Sequence, residues 1–143
     1  MPQNSLRLGF AIPYWFANED GLIPKVNFNN KNQTITEHLS DILNKRNYYL
    51  VLMSYRNQAL GSNGSIEISR KSIEITENKK SQIQMYIGLE TKENKTKSIT
   101  FYGKKQSDVN KAVEQIVNAF SEYDCFSGVS IHTVQGYRKL KEK

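Results

Sequence analysis

The sequence has few of the residues that build disulfides and metal sites. Cys125 is the single cysteine, and His38 and His132 are the only histidines among 143 residues. One cysteine cannot form an internal disulfide, and a zinc site needs three or four histidine, cysteine or carboxylate ligands at suitable spacing. We therefore expect neither an internal disulfide nor a bound metal.

Long apolar runs and glycine-rich nucleotide-binding motifs are also missing. No stretch approaches the roughly 20 apolar residues of a membrane-spanning helix, and the first apolar segment is interrupted by Pro13 and followed by acidic residues. Neither GxGxxG nor the P-loop GK[ST] occurs. These absences predict a cytoplasmic protein that has no membrane span and no cofactor.

The overall composition is that of an ordinary folded domain. Hydrophobic residues make up 38% of the chain and charged residues 24%, which is too apolar for a disordered protein. No internal repeat or flexible linker divides the sequence. We predict one α+β domain at residues 1–136, followed by a basic C-terminal tail at 137–143.

Two segments carry the signals of amphipathic helices. Thr34 and Glu37 have the spacing of a capping box, and apolar residues follow at helical intervals up to Leu43. A second helix is predicted to start near Ser107, with Asp108 in its first turn. Its apolar stripe consists of Val109, Val113, Ile116, Val117 and Phe120.

The remaining apolar segments read as strands. Leu6–Ile12 and Leu22–Phe28 are predicted as the first two strands, Tyr48–Tyr55 as a buried central strand and Val129–Val134 as the last one. Between them, apolar residues alternate with polar ones in four runs, which predicts a β-meander. These runs are Ile66–Ile68, Ile73–Ile75, Ile83–Leu89 and Ile99–Phe101.

Together these segments predict a mainly antiparallel sheet of about six to eight strands with two helices packed on one face. The predicted order is β-β-α-β-β-β-β-β-α-β. Both predicted helices have a single apolar stripe, which favours packing on the same face of the sheet.

An aromatic cluster near the N-terminus is the strongest candidate for a partner-binding site. Tyr14, Trp15 and Phe16 are consecutive, and neighbouring residues on a strand point to opposite faces. At least one of the three rings is therefore free to contact a partner, and tryptophan and tyrosine are enriched in interface hot spots. The alternative is that the cluster plugs the core where the first loop folds over the sheet.

The net charge of +6 suggests an acidic partner such as nucleic acid. Lys104 and Lys105 precede the second predicted helix, whose N-terminus could hold a phosphate. Arg138, Lys139 and Lys141 lie in the basic tail. Tyrosines such as Tyr86, Tyr102 and Tyr137 could stack on bases.

A nucleophile–base pair is a further candidate. Cys125 and His132 have the right chemistry, although no catalytic motif surrounds them, and a partly buried structural cysteine is the simpler interpretation. Glu67 and Glu74 both fall on the predicted wet face, where paired-carboxylate catalysis is disfavoured.

The first functional hypothesis is a non-enzymatic protein-binding or accessory protein, such as an adaptor, chaperone or immunity protein. It would act through the aromatic N-terminal loop and exposed sheet edges. The alternative is a nucleic-acid-binding accessory protein that uses the basic loops and tail. A small enzyme built around Cys125 and His132 ranks third. The predicted partner is another protein, and self-association remains open.

Overall fold

The structure is a computed structural model that describes residues 6–142. The strands are β1 (Leu8–Pro13), β2 (Val26–Phe28), β3 (Lys31–Gln33), β4 (Tyr48–Met53), β5 (Gln84–Glu90) and β6 (Phe126–His132). The helices are α1 (Ile35–Ile42), α2 (Ser65–Asn78), α3 (Gln106–Phe120) and α4 (Val134–Arg138). Short 3-10 turns follow β1 at Tyr14–Ala17 and precede α3 at Lys97–Ile99.

The main sheet is parallel, so the prediction of a mainly antiparallel sheet is wrong. Its four strands lie in the order β1-β4-β5-β6, and each pairs in parallel with the next. Among the strands of residues 6–142, only those of the small β2–β3 hairpin are antiparallel. The same residues form four helices instead of two, and the first three each belong to a crossover that returns the chain to start the next strand in the same direction.

The largest local error concerns α2, where the sequence predicts two strands. Ile66–Ile68 and Ile73–Ile75 alternate with glutamates, but both runs lie in one helix, Ser65–Asn78. The buried face of this helix is built mostly from small hydroxyl residues: Ser65, Ser69, Ser72 and Thr76. Because these residues are polar, they conceal the helical period of the buried positions, and only the local alternation of isoleucine with glutamate remains visible.

The hydroxyl groups on this face are paired inside the protein. Ser69 Oγ donates to Ser54 Oγ over 2.6 Å, and Thr76 Oγ1 donates to the Ser72 carbonyl over 2.9 Å. Ser40 Oγ of α1 lies 3.1 Å from Thr76 Oγ1, which joins α1 to α2. Small hydroxyl residues let the two helices approach closely while the hydroxyl groups of Ser40, Ser69 and Thr76 each keep a partner.

Two smaller predictions also fail. Only Val26–Phe28 of the predicted second strand forms a strand, and it pairs with Lys31–Gln33, where the sequence analysis predicts no strand. Ile99 and Phe101 belong to a turn between β5 and α3, where Phe101 is fully buried. A single apolar residue anchoring a loop gives the same alternation as a short strand.

Other local predictions are confirmed. The capping box forms at α1, where Thr34 Oγ1 accepts from the Glu37 backbone and Glu37 accepts from the Thr34 backbone. The run from Tyr48 forms a central strand, and the predicted first strand forms at Leu8–Pro13, on the edge of the sheet. The long helix before the last strand also forms, although it begins at Gln106.

The core lies between the sheet and one layer of helices. Leu50, Leu52 and Ile87 are fully buried and share a cluster with Ile73 of α2 and Ile116 of α3. Since α1 packs on α2 and α2 packs on α3, these helices cover the same face of the sheet. None of the helices within residues 6–142 has the length and apolar content that crossing a membrane requires.

The C-terminal end of α2 is tied to the start of β6 by Glu77. Its carboxylate accepts hydrogen bonds from the backbone N–H groups of Asp124 and Cys125, each over 3.0 Å. Burial raises the pKa of Glu77, but these two hydrogen bonds outweigh it, so the pKa lies below its ordinary value.

We predict that Glu77→Ala lowers the free energy of unfolding by about 1 kcal/mol at pH 7, because two charge-assisted hydrogen bonds are lost from a partly exposed site. The ionised form is favoured by folding, so its contribution is complete above the ordinary pKa near 4.5. The contribution disappears as the pH falls through the lowered pKa. Urea unfolding at several pH values measures this difference. Glu74→Ala, on the same helix, is the control and should change the stability little, since no hydrogen bond of its carboxylate is seen in the described residues.

Candidate functional site at the carboxyl edge

Because all four strands of the main sheet are parallel, their carboxyl ends meet along one edge. We call this the carboxyl edge. It consists of Pro13–Phe16, Ser54–Arg56, Glu90–Lys92 and His132–Thr133. In open parallel sheets, ligands bind outside the carboxyl ends of the strands. The side chains at this edge are therefore the candidates for ligand binding and catalysis.

Glu90 and His132 form a pair at the ends of neighbouring strands. The two residues are register partners on β5 and β6, and His132 Nδ1 lies 3.0 Å from Glu90 Oε2. Glu90 is buried, whereas about half of the His132 side chain is exposed. Backbone N–H groups of Thr91 and Lys92 donate to Glu90 Oε1 over 2.9 and 2.8 Å. The carboxylate is therefore held in place from both sides.

Thr91 fixes the position of the chain on both sides of this pair. Its hydroxyl lies 3.0 Å from the His132 carbonyl oxygen and 3.1 Å from that of Thr133, and it accepts from the Thr133 backbone over 2.9 Å. Thr91 is completely buried. The end of β6 is thereby attached to the end of β5, and His132 cannot move away from Glu90 without breaking these bonds.

Tyr55 covers the imidazole ring of His132. The two rings are nearly parallel, with centroids 6.3 Å apart and an interplanar angle of 18°. Gly88 leaves the space for Tyr55, since a Cβ there would lie 3.2 Å from Tyr55 Cε1 and 2.9 Å from the Leu52 carbonyl oxygen. Burial, and secondarily the charge of Glu90, raises the pKa of Tyr55, so its hydroxyl group stays protonated at neutral pH.

Arg56 and Tyr14 connect the ends of β4 and β1. Arg56 Nη2 donates to the Tyr14 hydroxyl over 3.2 Å, and the guanidinium carbon lies 5.5 Å from the centre of the Tyr14 ring. Arg56 also donates to the Tyr55 carbonyl oxygen over 2.8 Å. The Arg56 guanidinium group is thus held in place at the same edge of the sheet as the Glu90–His132 pair.

The three aromatic residues singled out from the sequence also lie here. Tyr14, Trp15 and Phe16 belong to the 3-10 turn after β1. Phe16 is partly buried against the core and meets the edge of the Trp15 ring at 5.0 Å, while Trp15 is 39% exposed. The turn thus fits both the core-plug and the partner-binding interpretation of the sequence, since one ring packs inward and another is partly exposed to solvent.

The basic residues of the sequence analysis gather around the N-terminus of α3. Lys104 and Lys105 precede this helix, and Lys141 is joined to them through the backbone, with Lys141 N donating to the Lys104 carbonyl oxygen over 3.2 Å. Arg138 and Lys139 lie at the end of α4. Leu140, between these cations, is buried, so this part of the C-terminal segment packs against the domain.

Cys125 and His132 are not brought together. Cys125 immediately precedes β6 and His132 is the last residue of that strand, so the two lie at opposite ends. At about 3.3 Å per residue, a strand of this length separates them by roughly 20 Å. Burial, followed by the hydrogen bond and charge of Glu77, raises the pKa of Cys125 and disfavours the reactive thiolate.

Sequence reasoning missed Glu90, Thr91, Tyr55 and Arg56 as site residues. Each lies at or just beyond the carboxyl end of an apolar run, and that position was the available signal. The signal has meaning only if the strands are parallel. In the predicted meander, successive strand ends alternate between opposite edges of the sheet, which separates Glu90 from its partners.

No protein-family model, no curated protein and no solved structure matches this chain. Function is therefore inferred from the geometry of the carboxyl edge.

We predict that Thr91→Val lowers the free energy of unfolding by roughly 2 kcal/mol, because the completely buried Thr91 hydroxyl is lost together with its hydrogen bonds to the partly buried backbone of His132 and Thr133. Thermal or urea unfolding measures the loss. Thr96→Val is the control, since Thr96 is exposed and should change stability little. Equal effects of the two substitutions would contradict the role assigned to Thr91.

We also predict that Glu90→Gln lowers the pKa of Tyr55, because a nearby negative charge no longer opposes ionisation of the phenol. The pKa should remain above the ordinary value of 10.0, since burial persists. Titration of ring-labelled tyrosine by NMR measures the shift. Glu93→Gln, which removes an exposed carboxylate, should leave Tyr55 unchanged.

Proposed function

We propose that the protein is an enzyme of the general acid–base type and that its active site is the carboxyl edge. The observation that carries this proposal is the contact of the half-exposed His132 with the buried Glu90 over 3.0 Å. Histidine is the side chain whose ordinary pKa best suits proton transfer near neutral pH. A carboxylate that holds one ring nitrogen fixes the tautomer and leaves the other nitrogen for a ligand.

Each residue then has a separate role. His132 accepts or delivers a proton, and Glu90 orients its imidazole ring. Tyr55 stacks on the same ring and limits its rotation. Thr91 holds the end of β6 in place and acts as a positioning residue.

The surroundings support a small polar substrate with a ring or another flat face. Tyr14 and the partly exposed Trp15 offer aromatic surfaces at the same edge. Arg56 offers a cation that suits carboxylate or phosphate groups. Hydrolysis of an ester, phosphate ester or glycoside matches this combination of a proton-transfer pair, aromatic surfaces and a guanidinium group.

The proposal is tested with chromogenic p-nitrophenyl esters, phosphates and glycosides between pH 5 and 9. We expect turnover of at least one class, and losses on the order of 100-fold or more in His132→Ala and Glu90→Gln, since general acid–base catalysis contributes about 10²–10⁴-fold. His38→Ala and Glu93→Gln are the matched controls. Turnover that survives in His132→Ala, or no turnover of any class, would contradict the proposal.

Protein binding is the second candidate function. The observation in its favour is the outer edge of β1, where Leu8 and Phe10 are 47% and 45% exposed although they belong to a strand. An exposed strand with apolar side chains can pair with a strand of a partner. The nucleic-acid alternative is favoured by the cations beside α3, but they surround one helix end and do not line a long groove.

A further inference from the structure

The face of the sheet opposite the helices is a feature that the proposed active site leaves unexplained. Its side chains come from alternate residues of the strands, such as Ala11 of β1, Val51 of β4 and Ser130 of β6. Within residues 6–142, the helices α1, α2 and α3 pack on the other face, which contains the buried core. A shallow cleft of about 340 Å³ marks the uncovered face, lined by Arg7, Tyr49, Val51, Tyr86, Val129 and Ser130.

This face has two tyrosines along its centre and small residues at its two sides, and the Arg7 guanidinium lies over the Tyr49 ring with its carbon 5.1 Å from the ring centre. The Tyr49 ring lies directly over Gly9, where a Cβ would approach ring atoms to 2.0 Å, and the Tyr86 ring lies beside Gly128. The two tyrosines meet edge to face at 5.7 Å. Purely parallel sheets are almost always covered on both faces. The uncovered face is therefore a surface on which a partner is expected to lie.

The two outer strands restrict what that partner can be. β1 and β6 each pair with one strand in the described part of the chain, so each has one row of backbone groups without a strand partner. Both run in the same direction. A partner that continues the sheet on both sides must pair one parallel strand with β1 and another with β6. A second copy of this chain can do both, because its own β6 can pair with β1 and its own β1 can pair with β6.

We propose that the uncovered face is half of a barrel interior and that a second copy of this chain completes it. Four parallel strands in chain order, with helices on one side, are half of an eight-stranded βα-barrel. A twofold axis along the barrel would pair each β6 with the partner's β1, and closure would leave no free edge.

The face supplies most of the area that a stable dimer needs, and the strand edges must supply the rest. Four strands about 4.8 Å apart and six residues long, at about 3.3 Å per residue, give roughly 400 Å² of face per copy. Two copies bury roughly 800 Å² before the strand edges are counted, and a specific interface needs about 1,000 Å² in total. The exposed Leu8 and Phe10 on the β1 edge add apolar area at each junction.

Sedimentation of the full chain tests this proposal. We expect a species of twice the chain mass of 16.5 kDa at micromolar concentration. Ala11→Lys places a charge inside the barrel on an exposed edge strand and should weaken the dimer at least 100-fold. Leu60→Lys is the control, because Leu60 is 59% exposed and lies off the sheet. A monomer at 100 µM, or a dimer that Ala11→Lys does not weaken, overturns the proposal.

A disulfide experiment tests the geometry and does not depend on how Ala11→Lys folds. One double variant combines Ala11→Cys with Ser130→Cys. A second combines Pro13→Cys with Ser130→Cys and so tests a pairing of β1 with the partner's β6 that is shifted by two residues. Within one copy, β1 and β6 lie three strand spacings apart, about 14 Å, whereas a disulfide requires Cα atoms within about 7 Å. Closure predicts a covalent dimer on oxidation in one of the two registers. A series of covalent oligomers larger than the dimer, or no crosslink in either variant, would contradict the closed barrel.

Discussion

The common direction of the four strands in the main sheet determines the rest of the structure. Each strand can be followed by a parallel neighbour only if the chain returns across the sheet, and α1, α2 and α3 make those returns on a single face. The same constraint brings the last residues of β1, β4, β5 and β6 to one edge, where Glu90 meets His132. It also leaves the opposite face without a layer of helices in the part of the chain that the structure describes.

Much of the local structure can be predicted from the sequence, but the direction of the strands cannot. The capping box at Thr34, the central strand from Tyr48 and the helix before β6 follow from short-range signals. Direction depends on whether the segment between two strands is a turn or a crossover. Between β4 and β5 this decision rests on α2, whose buried serines and threonine conceal its helical period. When this helix is taken for two strands, the sequence predicts an antiparallel meander where the chain forms a parallel sheet.

The candidate site was only partly visible for the same reason. The sequence predicts roles for the aromatic residues from Tyr14 and for His132, but it pairs His132 with Cys125, a neighbour in sequence that lies at the other end of the strand. Glu90 is 42 residues from His132, and no linear motif joins them. The pair becomes recognisable once two apolar runs are known to end at the same edge, because each partner is the last residue of its strand.

Strand order in the main sheet is identical to chain order, and this has a consequence for biosynthesis. When β4 leaves the ribosome, its neighbour β1 has already been made, and the same holds for β5 after β4 and for β6 after β5. No strand has to wait for a later segment before it can join the sheet, so the sheet can grow from one side during translation. The Glu90–His132 contact is then completed last, with the arrival of β6.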